Sequence, residues 1–191
     1  IIIMEPIIML TSTVNVGNKA YLYQVDPNER INTYLKAILQ WLHNTNLKII
    51  LVENSGYDFS EKLNIEKELY KNRFEIITFK ENDLKEAKYL VGNMSKCSSE
   101  MFALSYAFNN SKIITPLSFI IKITGRYYIH DLEKYLGNID LNKYDCLTQK
   151  NRFRCEMVGS HFNNFKYIFN IDYSEFKNVY NIDTNHIESV W

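Results

Sequence analysis

The sequence lacks the glycine-rich loops that mark the commonest nucleotide-binding proteins. It has only six glycines; G-x-G-x-x-G does not follow the first apolar segment, and G-x-x-x-x-G-K-[ST] does not occur. These absences disfavour a dehydrogenase and a P-loop nucleotidase, because both bring closely spaced glycines against phosphates. The G-x-S-x-G motif is also missing, which disfavours an α/β hydrolase.

Cysteine and histidine form no metal-binding pattern either. The three cysteines are odd in number and widely spaced, with no C-x-x-C pair, so there is no structural zinc pattern. The four histidines show no H-E-x-x-H spacing. A reducing compartment is the default for such cysteines, and we therefore expect a cytoplasmic protein.

No segment is typical of a signal peptide or a membrane span. The chain opens with the apolar residues 1–4, but Glu5 and Pro6 interrupt the run. The run is too short to cross a bilayer and lacks the basic start of a signal peptide. We therefore expect no transmembrane segment.

Neither sign of charge is in excess. Lysine plus arginine and aspartate plus glutamate both number 22, so the formal net charge is zero. This balance argues against a general nucleic-acid-binding protein, which normally carries a basic excess, but it allows a local basic pocket. With 191 residues, 46% of them hydrophobic, the chain is long enough for one domain with a substantial core.

What the sequence does contain is an alternation of apolar, strand-like segments and amphipathic helices. Ile31, Tyr34 and Ile38, for example, recur at helical spacing. Such alternation is typical of β-α-β units, and we predict an α/β fold of Rossmann type with a mixed, mainly parallel sheet flanked by helices. The predicted strands cover 6–13, 47–52, 74–79 and 119–129, and the predicted helices cover 28–43, 60–72 and 98–110.

After residue 131 the pattern becomes less regular. Short strands are predicted near 144–148 and 153–158, before aromatic-rich segments at 160–170 and 172–181. We interpret the chain as one domain, with a regular half at about 6–130 and a less regular half at about 131–191. The last residues fall within a predicted helix, which is typical of a segment taken from a longer protein.

The most informative segment is the predicted strand 119–129, because it is apolar and yet carries two cations. Lys122, Thr124 and Arg126 are spaced by two, so in an unbroken strand they share one face. A buried charge is costly unless it meets an opposite charge, and Gly125 allows a ligand or another backbone to come close. Two cations and a hydroxyl beside a glycine suit a phosphate or diphosphate. The alternative is a half-exposed strand with a basic outer face.

Polar segments follow the predicted strands at their carboxyl ends, where ligands bind in open α/β sheets. These segments are Thr11–Thr13, Glu53–Gly56, Gly92–Glu100 and Thr124–Arg126. Hydroxyl and amide groups after two buried strands can hydrogen-bond a nucleobase and a ribose. Each residue alone is more simply explained as a strand end or a turn cap, but the group as a whole favours a binding site.

Taken in order, these motifs resemble a family of small glycosyltransferases of the GT-A fold, found in bacterial surface-polysaccharide clusters and in large DNA viruses. The resemblance covers roughly residues 6–130, and it implies a nucleotide-binding half there and an acceptor-side half at about 131–191. It implies a GT-A-like fold and transfer of a sugar from a nucleoside diphosphate donor, expected to be a UDP-sugar, to a glycan or glycoprotein acceptor. The matching motifs are Thr-Ser-Thr at 11–13, Arg30 at a helix start, Val-Glu-Asn-Ser-Gly at 52–56, Gly-x-x-x-Lys-x-x-x-Glu at 92–100 and Lys-Ile-Thr-Gly-Arg-Tyr at 122–127.

The resemblance also implies which residues contact the donor, across the carboxyl ends of the first strands. The residues on the nucleoside side would be Thr11, Ser12, Thr13, Arg30, Glu53, Asn54 and Ser55. The residues nearer the diphosphate and the sugar would be Lys96, Glu100, Lys122 and Arg126, with Thr124 between the last two.

Many GT-A enzymes hold a divalent metal with an Asp-x-Asp motif. That motif is absent here, and residues 183–185, Asp-Thr-Asn, are the nearest sequence. Lys122 and Arg126 could stabilise the leaving diphosphate without a metal. Alternatively, a lone carboxylate, a histidine such as His161 and the diphosphate oxygens could hold one. We therefore expect Mn²⁺ or Mg²⁺ to bind mainly through the donor phosphates, or no metal at all.

A transferase that inverts the sugar needs a base to take the proton of the acceptor hydroxyl. Asp131, Asp145 and Glu156 are the candidate bases, because they fall in the second half, where acceptor sites of this fold usually lie. Each is otherwise explained as a solvated surface charge. The 14 tyrosines and 11 phenylalanines could stack on sugar rings, although such residues more often form core.

Two other functions are compatible with the same residues. A sugar-phosphate nucleotidyltransferase also builds on a Rossmann-like sheet, but the segment 11–17 contains only one glycine. A domain that binds a nucleotide sugar or a glycan without catalysis requires no base. Donor hydrolysis measured with and without an acceptor would distinguish the glycosyltransferase, the nucleotidyltransferase and the binding domain.

Overall fold

Six strands form one sheet in the computed structural model, which describes residues 3–19, 22–92, 96–150 and 155–169. The strands are β1 Glu5–Ser12, β2 Lys48–Glu53, β3 Phe74–Thr78, β4 Ser118–Thr124, β5 Cys146–Thr148 and β6 Met157–His161. They lie in the order β3-β2-β1-β4-β6-β5. The chain therefore builds outward from β1 to β3 and then returns to the other side of β1 for β4.

The sheet is mixed, which corrects the expectation of a mainly parallel one. The strands β1 to β4 pair in parallel, whereas β6 is antiparallel to both β4 and β5. A parallel crossover needs a connection of roughly a dozen residues or more. The connection from Thr148 to Met157 is shorter, so β5 and β6 pair as antiparallel neighbours.

Helices cover both faces of the sheet, as the alternating pattern predicts. They are α1 Pro27–Asn44, α2 Asn64–Leu69, α3 Lys96–Asn110, α4 Leu132–Gly137 and α5 Phe165–Phe169. One hydrophobic core contains Trp41 of α1 and Ile8, and a second core contains Leu104 of α3 and Ile7. Neighbouring residues of β1 thus face opposite helical layers. Within the described ranges, none of the helices is long and apolar enough to span a membrane.

The helix predicted at 28–43 is confirmed, and its start follows from its capping residues. The side chain of Asp26 accepts a hydrogen bond from the backbone N–H of Glu29 at 2.9 Å, and Pro27 occupies the first turn. The buried face includes Tyr34 and Ile38. α1 therefore packs on the sheet through the apolar positions that the sequence predicts.

Other elements differ from the sequence prediction in extent. The helix predicted at 60–72 is confined to Asn64–Leu69, none of whose residues is buried, so no apolar face extends it. α3 begins at Lys96 rather than at residue 98. The second short strand is Met157–His161 rather than 153–158. The predicted segment 172–181 lies outside the described residues.

The strand predicted over 119–129 ends at Thr124, because the chain turns at Gly125. The backbone N–H of Gly125 donates to the carbonyl oxygen of Thr11 at 2.8 Å, which ties the end of β4 to β1. A Cβ atom at position 125 would clash with that carbonyl oxygen. Gly125 thus admits another backbone, and Arg126 does not share a strand face with Lys122.

We expect Gly125→Ala to lower the free energy of unfolding by about 1–3 kcal/mol, because the added methyl group forces β1 and β4 apart. Gly137→Ala is the matched control, since a Cβ atom there meets no atom within 4 Å. Urea unfolding followed by circular dichroism measures both variants. Equal stability of the two would contradict the close approach of the two backbones.

Candidate functional site

A cavity of about 590 Å³ opens at the carboxyl ends of β1, β2 and β4. Its walls also include the loop 15–19 after β1 and the first turns of α3. Between β1 and β4 the chain reverses its direction of travel across the sheet, and open α/β sheets bind ligands at such switch points. The cavity thus lies where the strand-end rule predicts a site.

Most of the residues predicted to contact a donor line this cavity. Glu53 and Lys122 are the exceptions, because both are fully buried behind it. Folding therefore brings together residues from separate segments of the chain. The predicted residues in the lining are Thr11, Ser12, Thr13, Arg30, Asn54, Ser55, Lys96, Glu100, Thr124 and Arg126.

A buried ion pair lies at the floor of the cavity. Lys122 of β4 is fully buried, and its Nζ lies 2.9 Å from Oε1 of Glu100 on α3. The same ammonium donates to the carbonyl oxygen of Cys155 at 2.7 Å and to Oγ1 of Thr124 at 3.4 Å. Oγ1 of Thr11 donates to Oε1 of Glu100 at 2.8 Å. These contacts offset the cost of burying the charge and join β1, β4 and α3.

The register of the sheet explains why these side chains meet. Thr11 is paired with Thr124, and Met9 is paired with Lys122. Met9 belongs to the core on the α3 side, and alternate strand positions share a face, so Lys122 also points toward α3. Its ammonium faces Glu100 rather than the cavity. Lys122 is therefore placed to hold Glu100 rather than to contact a ligand directly.

A second set of hydrogen bonds lines the β2 side of the cavity. Oγ1 of Thr13 donates to Oδ1 of Asn54 at 2.6 Å, and Nδ2 of Asn54 donates to Oε2 of Glu81 at 3.3 Å. Glu81 also accepts from Oγ of Ser99 at 3.0 Å and pairs with Lys19 at 3.5 Å. Sequence reasoning missed Glu81, because it lies in a 3₁₀ turn after β3 rather than directly at a strand end.

Glu53, at the end of β2, holds the loop that follows β1. Its carboxylate accepts from the backbone N–H groups of Val14, Ser55 and Tyr57, each at 2.9 Å, and from the Ser55 hydroxyl. Burial raises the pKa of the Glu53 carboxyl, while these hydrogen bonds act in the opposite direction. Glu53 therefore fixes the loops that form the cavity wall without lining the cavity itself.

Arg30 is largely committed to contacts within the protein. It is buried, and its Nε donates to the carbonyl oxygen of Thr13. Nη1 donates to the carbonyl oxygen of Gln24 at 2.8 Å, and Nη2 donates to Oη of Tyr34 at 2.6 Å. Arg30 thus fixes the ends of the connection between β1 and α1. Contact with a nucleoside stays a prediction for this residue.

Arg126 is the cation best placed to meet a ligand. It is half-buried and lines the cavity, and its Nε is buried without a hydrogen-bond partner among the described residues. The guanidinium carbon lies 5.6 Å from the ring centroid of Tyr127, within cation–π range. Leaving a buried donor without an acceptor is costly. Because the residue lines the cavity, its guanidinium can meet an anionic group at this end.

The cavity is locally basic although the chain as a whole is neutral. Two of its carboxylates are paired with lysines, Glu81 with Lys19 and Glu100 with Lys122. The excess positive charge favours an anionic ligand such as a diphosphate. The cations in the lining are Lys19, Arg30, Lys80, Lys96 and Arg126, and the carboxylates are Glu81, Glu100 and Glu156.

The three candidate bases are not brought together. Glu156 lines the cavity. Asp131 is exposed at the start of α4, with one oxygen 3.6 Å from Nδ1 of His130. Asp145 is exposed and accepts from Nδ2 of Asn164 at 2.9 Å. Asp131 and Asp145 thus have the surroundings of surface charges, and Glu156 alone of the three faces the cavity.

The described residues contain no group of three or more His, Cys, Asp or Glu side chains that could hold a metal ion. His161, the candidate metal ligand, lies at the end of β6, where its Nδ1 accepts from the N–H of Asn163 at 3.2 Å and caps the next turn. Residues 183–185 lie outside the described part of the chain. The side chains within the described ranges therefore do not form a divalent-ion site by themselves.

Comparison with known proteins does not assign the chain to a family. No protein-family model matches the sequence, and no curated protein matches it. Function is therefore inferred from the cavity and its residues.

We expect Glu100→Gln to destabilise the protein more than Lys122→Met. The Gln variant leaves the fully buried ammonium of Lys122 facing neutral groups only. Breaking a buried pair in this way costs about 3–5 kcal/mol. The double variant should recover most of the loss, since neither charge remains. Urea unfolding of the single and double variants measures the interaction free energy between Glu100 and Lys122.

Lys143→Met is the control for these variants. Its pair with Asp140 is exposed to solvent, so its removal should change the free energy of unfolding little. Strictly additive losses in the double variant would show that Glu100 and Lys122 do not act as a pair.

Proposed function

We propose that the chain is a glycosyltransferase that moves a sugar from a UDP-sugar donor to a glycan or glycoprotein acceptor. The observation that carries the proposal is the basic cavity at the strand ends, where Arg126 lies in one lining with hydroxyl and amide groups. A nucleoside diphosphate provides an anion for the guanidinium and a polar nucleoside for the amides.

The size and layout of the cavity support a ligand of this kind. Its volume, about 590 Å³, falls within the range of roughly 300–1,000 Å³ that small-molecule sites occupy. Asn54 and Ser55 follow β2, and Arg126 follows β4, on the opposite side of β1. Two strand spacings separate these walls by about 10 Å. We place the nucleoside on the β2 side and the diphosphate on the β4 side.

Glu100 supports a definite orientation of the donor between these walls. A carboxylate repels a phosphate but accepts hydrogen bonds from hydroxyl groups. Oε1 of Glu100 is already occupied by Thr11 and Lys122. We therefore place a ribose or sugar hydroxyl against Glu100 and the diphosphate against Arg126.

In the proposed reaction, the bond between the anomeric carbon and the diphosphate oxygen breaks as the acceptor oxygen forms a new bond to that carbon. The proton of the acceptor hydroxyl passes to a carboxylate base. Glu156 is the candidate base, since it lines the cavity. Arg126 stabilises the negative charge that develops on the leaving diphosphate.

A domain that binds a nucleotide sugar without transferring it is the second candidate. The observation that favours it is the exposed position of Asp131 and Asp145, both of which lie outside the cavity lining. UDP release from a panel of UDP-sugars, with and without a glycan, separates the candidates. A binding domain would bind UDP in calorimetry and release none from a UDP-sugar.

We expect Arg126→Ala to weaken UDP binding by about 1–3 kcal/mol and to leave uridine binding nearly unchanged, because only the diphosphate contacts the guanidinium. Titration calorimetry measures both ligands, and UDP should bind more tightly than ADP or CDP. Lys112→Ala removes an exposed cation outside the cavity and is the control. Equal losses for UDP and uridine would indicate a folding defect, and a parent chain that binds no nucleotide would refute the proposal.

We also expect Mn²⁺ to bind detectably only when UDP is present. The described side chains offer too few clustered oxygen ligands to dehydrate the ion, so the donor phosphates would supply most of them. Paramagnetic resonance of Mn²⁺ with and without UDP measures this dependence. Tight binding to the ligand-free protein would contradict the prediction.

A further inference from the structure

A second depression lies beside the cavity, between α1 and the turn that follows β4. Its volume is about 530 Å³. We name this depression the tyrosine groove. Among its lining residues, α1 contributes Asn32, Lys36 and Gln40, and the turn contributes Arg126, Tyr127 and Tyr128.

The two tyrosines are held in position by Trp41 of α1. The indole N–H donates to the carbonyl oxygen of Tyr127 at 2.9 Å, and the ring of Tyr128 packs edge-on against Trp41 with centroids 5.0 Å apart. Tyr127 nevertheless remains 41% exposed. An exposed ring on an anchored backbone offers a flat apolar face with a polar tip. Such a surface suits packing against the apolar face of a sugar ring.

The tyrosine groove is cationic. Lys36 and Arg126 line it, and among the described residues no carboxylate does. Asn32 and Gln40 add amide groups, which both donate to and accept from hydroxyl groups. A saccharide that carries a negative charge complements all three features: the ring face, the amides and the cations.

Arg126 lines both the donor cavity and the tyrosine groove. The two spaces therefore share one residue, whose guanidinium has five N–H donors in a planar fork. The backbone of Glu156 lies at the end of β4, because its carbonyl oxygen accepts from the backbone N–H of Thr124 at 2.9 Å; Glu156 lines the donor cavity and not the groove. A molecule in the groove would thus lie next to the diphosphate end of the cavity.

We propose that the tyrosine groove binds an anionic saccharide and that this saccharide is the acceptor of the sugar. Its role as acceptor rests on the proposed function, whereas saccharide binding rests on the groove residues alone. The acceptor then lies on the α1 side of Arg126, rather than in the second half of the chain, where the family resemblance would put it.

Cellobiuronic acid and cellobiose are a matched pair of probes, because they differ by one carboxylate. In NMR spectra of the labelled full chain, about 20 mM cellobiuronic acid should shift the backbone amide signals of Lys36 and Tyr127. Cellobiose should bind at least about tenfold more weakly, and raising the salt to about 0.5 M should remove most of this difference, since it screens the charge.

Three variants separate charge from stacking. Lys36→Gln should weaken cellobiuronic acid binding about threefold to tenfold and leave cellobiose binding unchanged, because only the acid meets the cation. Tyr127→Ala should weaken both probes by a similar factor, because both use the ring. Tyr135→Ala is the control, since Tyr135 is an exposed tyrosine on α4 that does not line the groove; its affinities should match those of the parent chain.

The outcomes distinguish this inference from the proposed function. No shift with either probe, or equal affinity for both, overturns the anionic saccharide site even if UDP binds. Shifts of the Lys36 and Tyr127 amide signals in a chain that binds no nucleotide would support the saccharide site and refute the proposed glycosyltransferase function. If both ligands bind, cellobiuronic acid should speed UDP release from a UDP-sugar; binding without that increase overturns the acceptor role.

Discussion

Lys122 places a positive charge inside a central strand, and the surrounding elements are arranged around that charge. A buried ammonium is tolerated only where acceptors surround it. Glu100 on α3, Thr124 on β4 and the Cys155 carbonyl before β6 supply them. One set of contacts thus joins the parallel half of the sheet to α3 and to the antiparallel half. It also means that the cavity floor presents a carboxylate to a ligand rather than an ammonium.

The charged residues of the site fall into two groups by how fully the protein satisfies them. Glu53, Arg30 and Lys122 each have several protein partners, and they hold the loop after β1 or the floor in place. Arg126 retains a buried donor that the described residues do not satisfy, and it lies where the donor cavity and the tyrosine groove meet. This difference in hydrogen bonding, rather than charge itself, is why we propose Arg126 and not the other three as the residue that contacts a ligand.

Much of the site could be predicted because its signals are local. Apolar runs followed by Thr11–Thr13 and Asn54 mark strand ends, and parallel strands bring their carboxyl ends to one edge. Glu81 could not be predicted in this way, because it lies in a 3₁₀ turn and joins the site only through long-range contacts. The spacing of Lys122 and Arg126 predicted that they share one strand face. That prediction was wrong, because the strand ends at Thr124 and the chain turns at Gly125.

The sequence by itself determined the α/β class, the positions of the first strands and the location of a cavity at their ends, because periodicity and capping act over a few residues. Only the tertiary structure decided the strand order, the antiparallel pairing of β5 and β6 and the burial of each cation, because these depend on partners distant in the chain. Lys122 and Arg126 show the difference. They lie in one short segment, yet the first is enclosed by Glu100 and the second borders two open spaces, because the backbone turns where Gly125 meets β1.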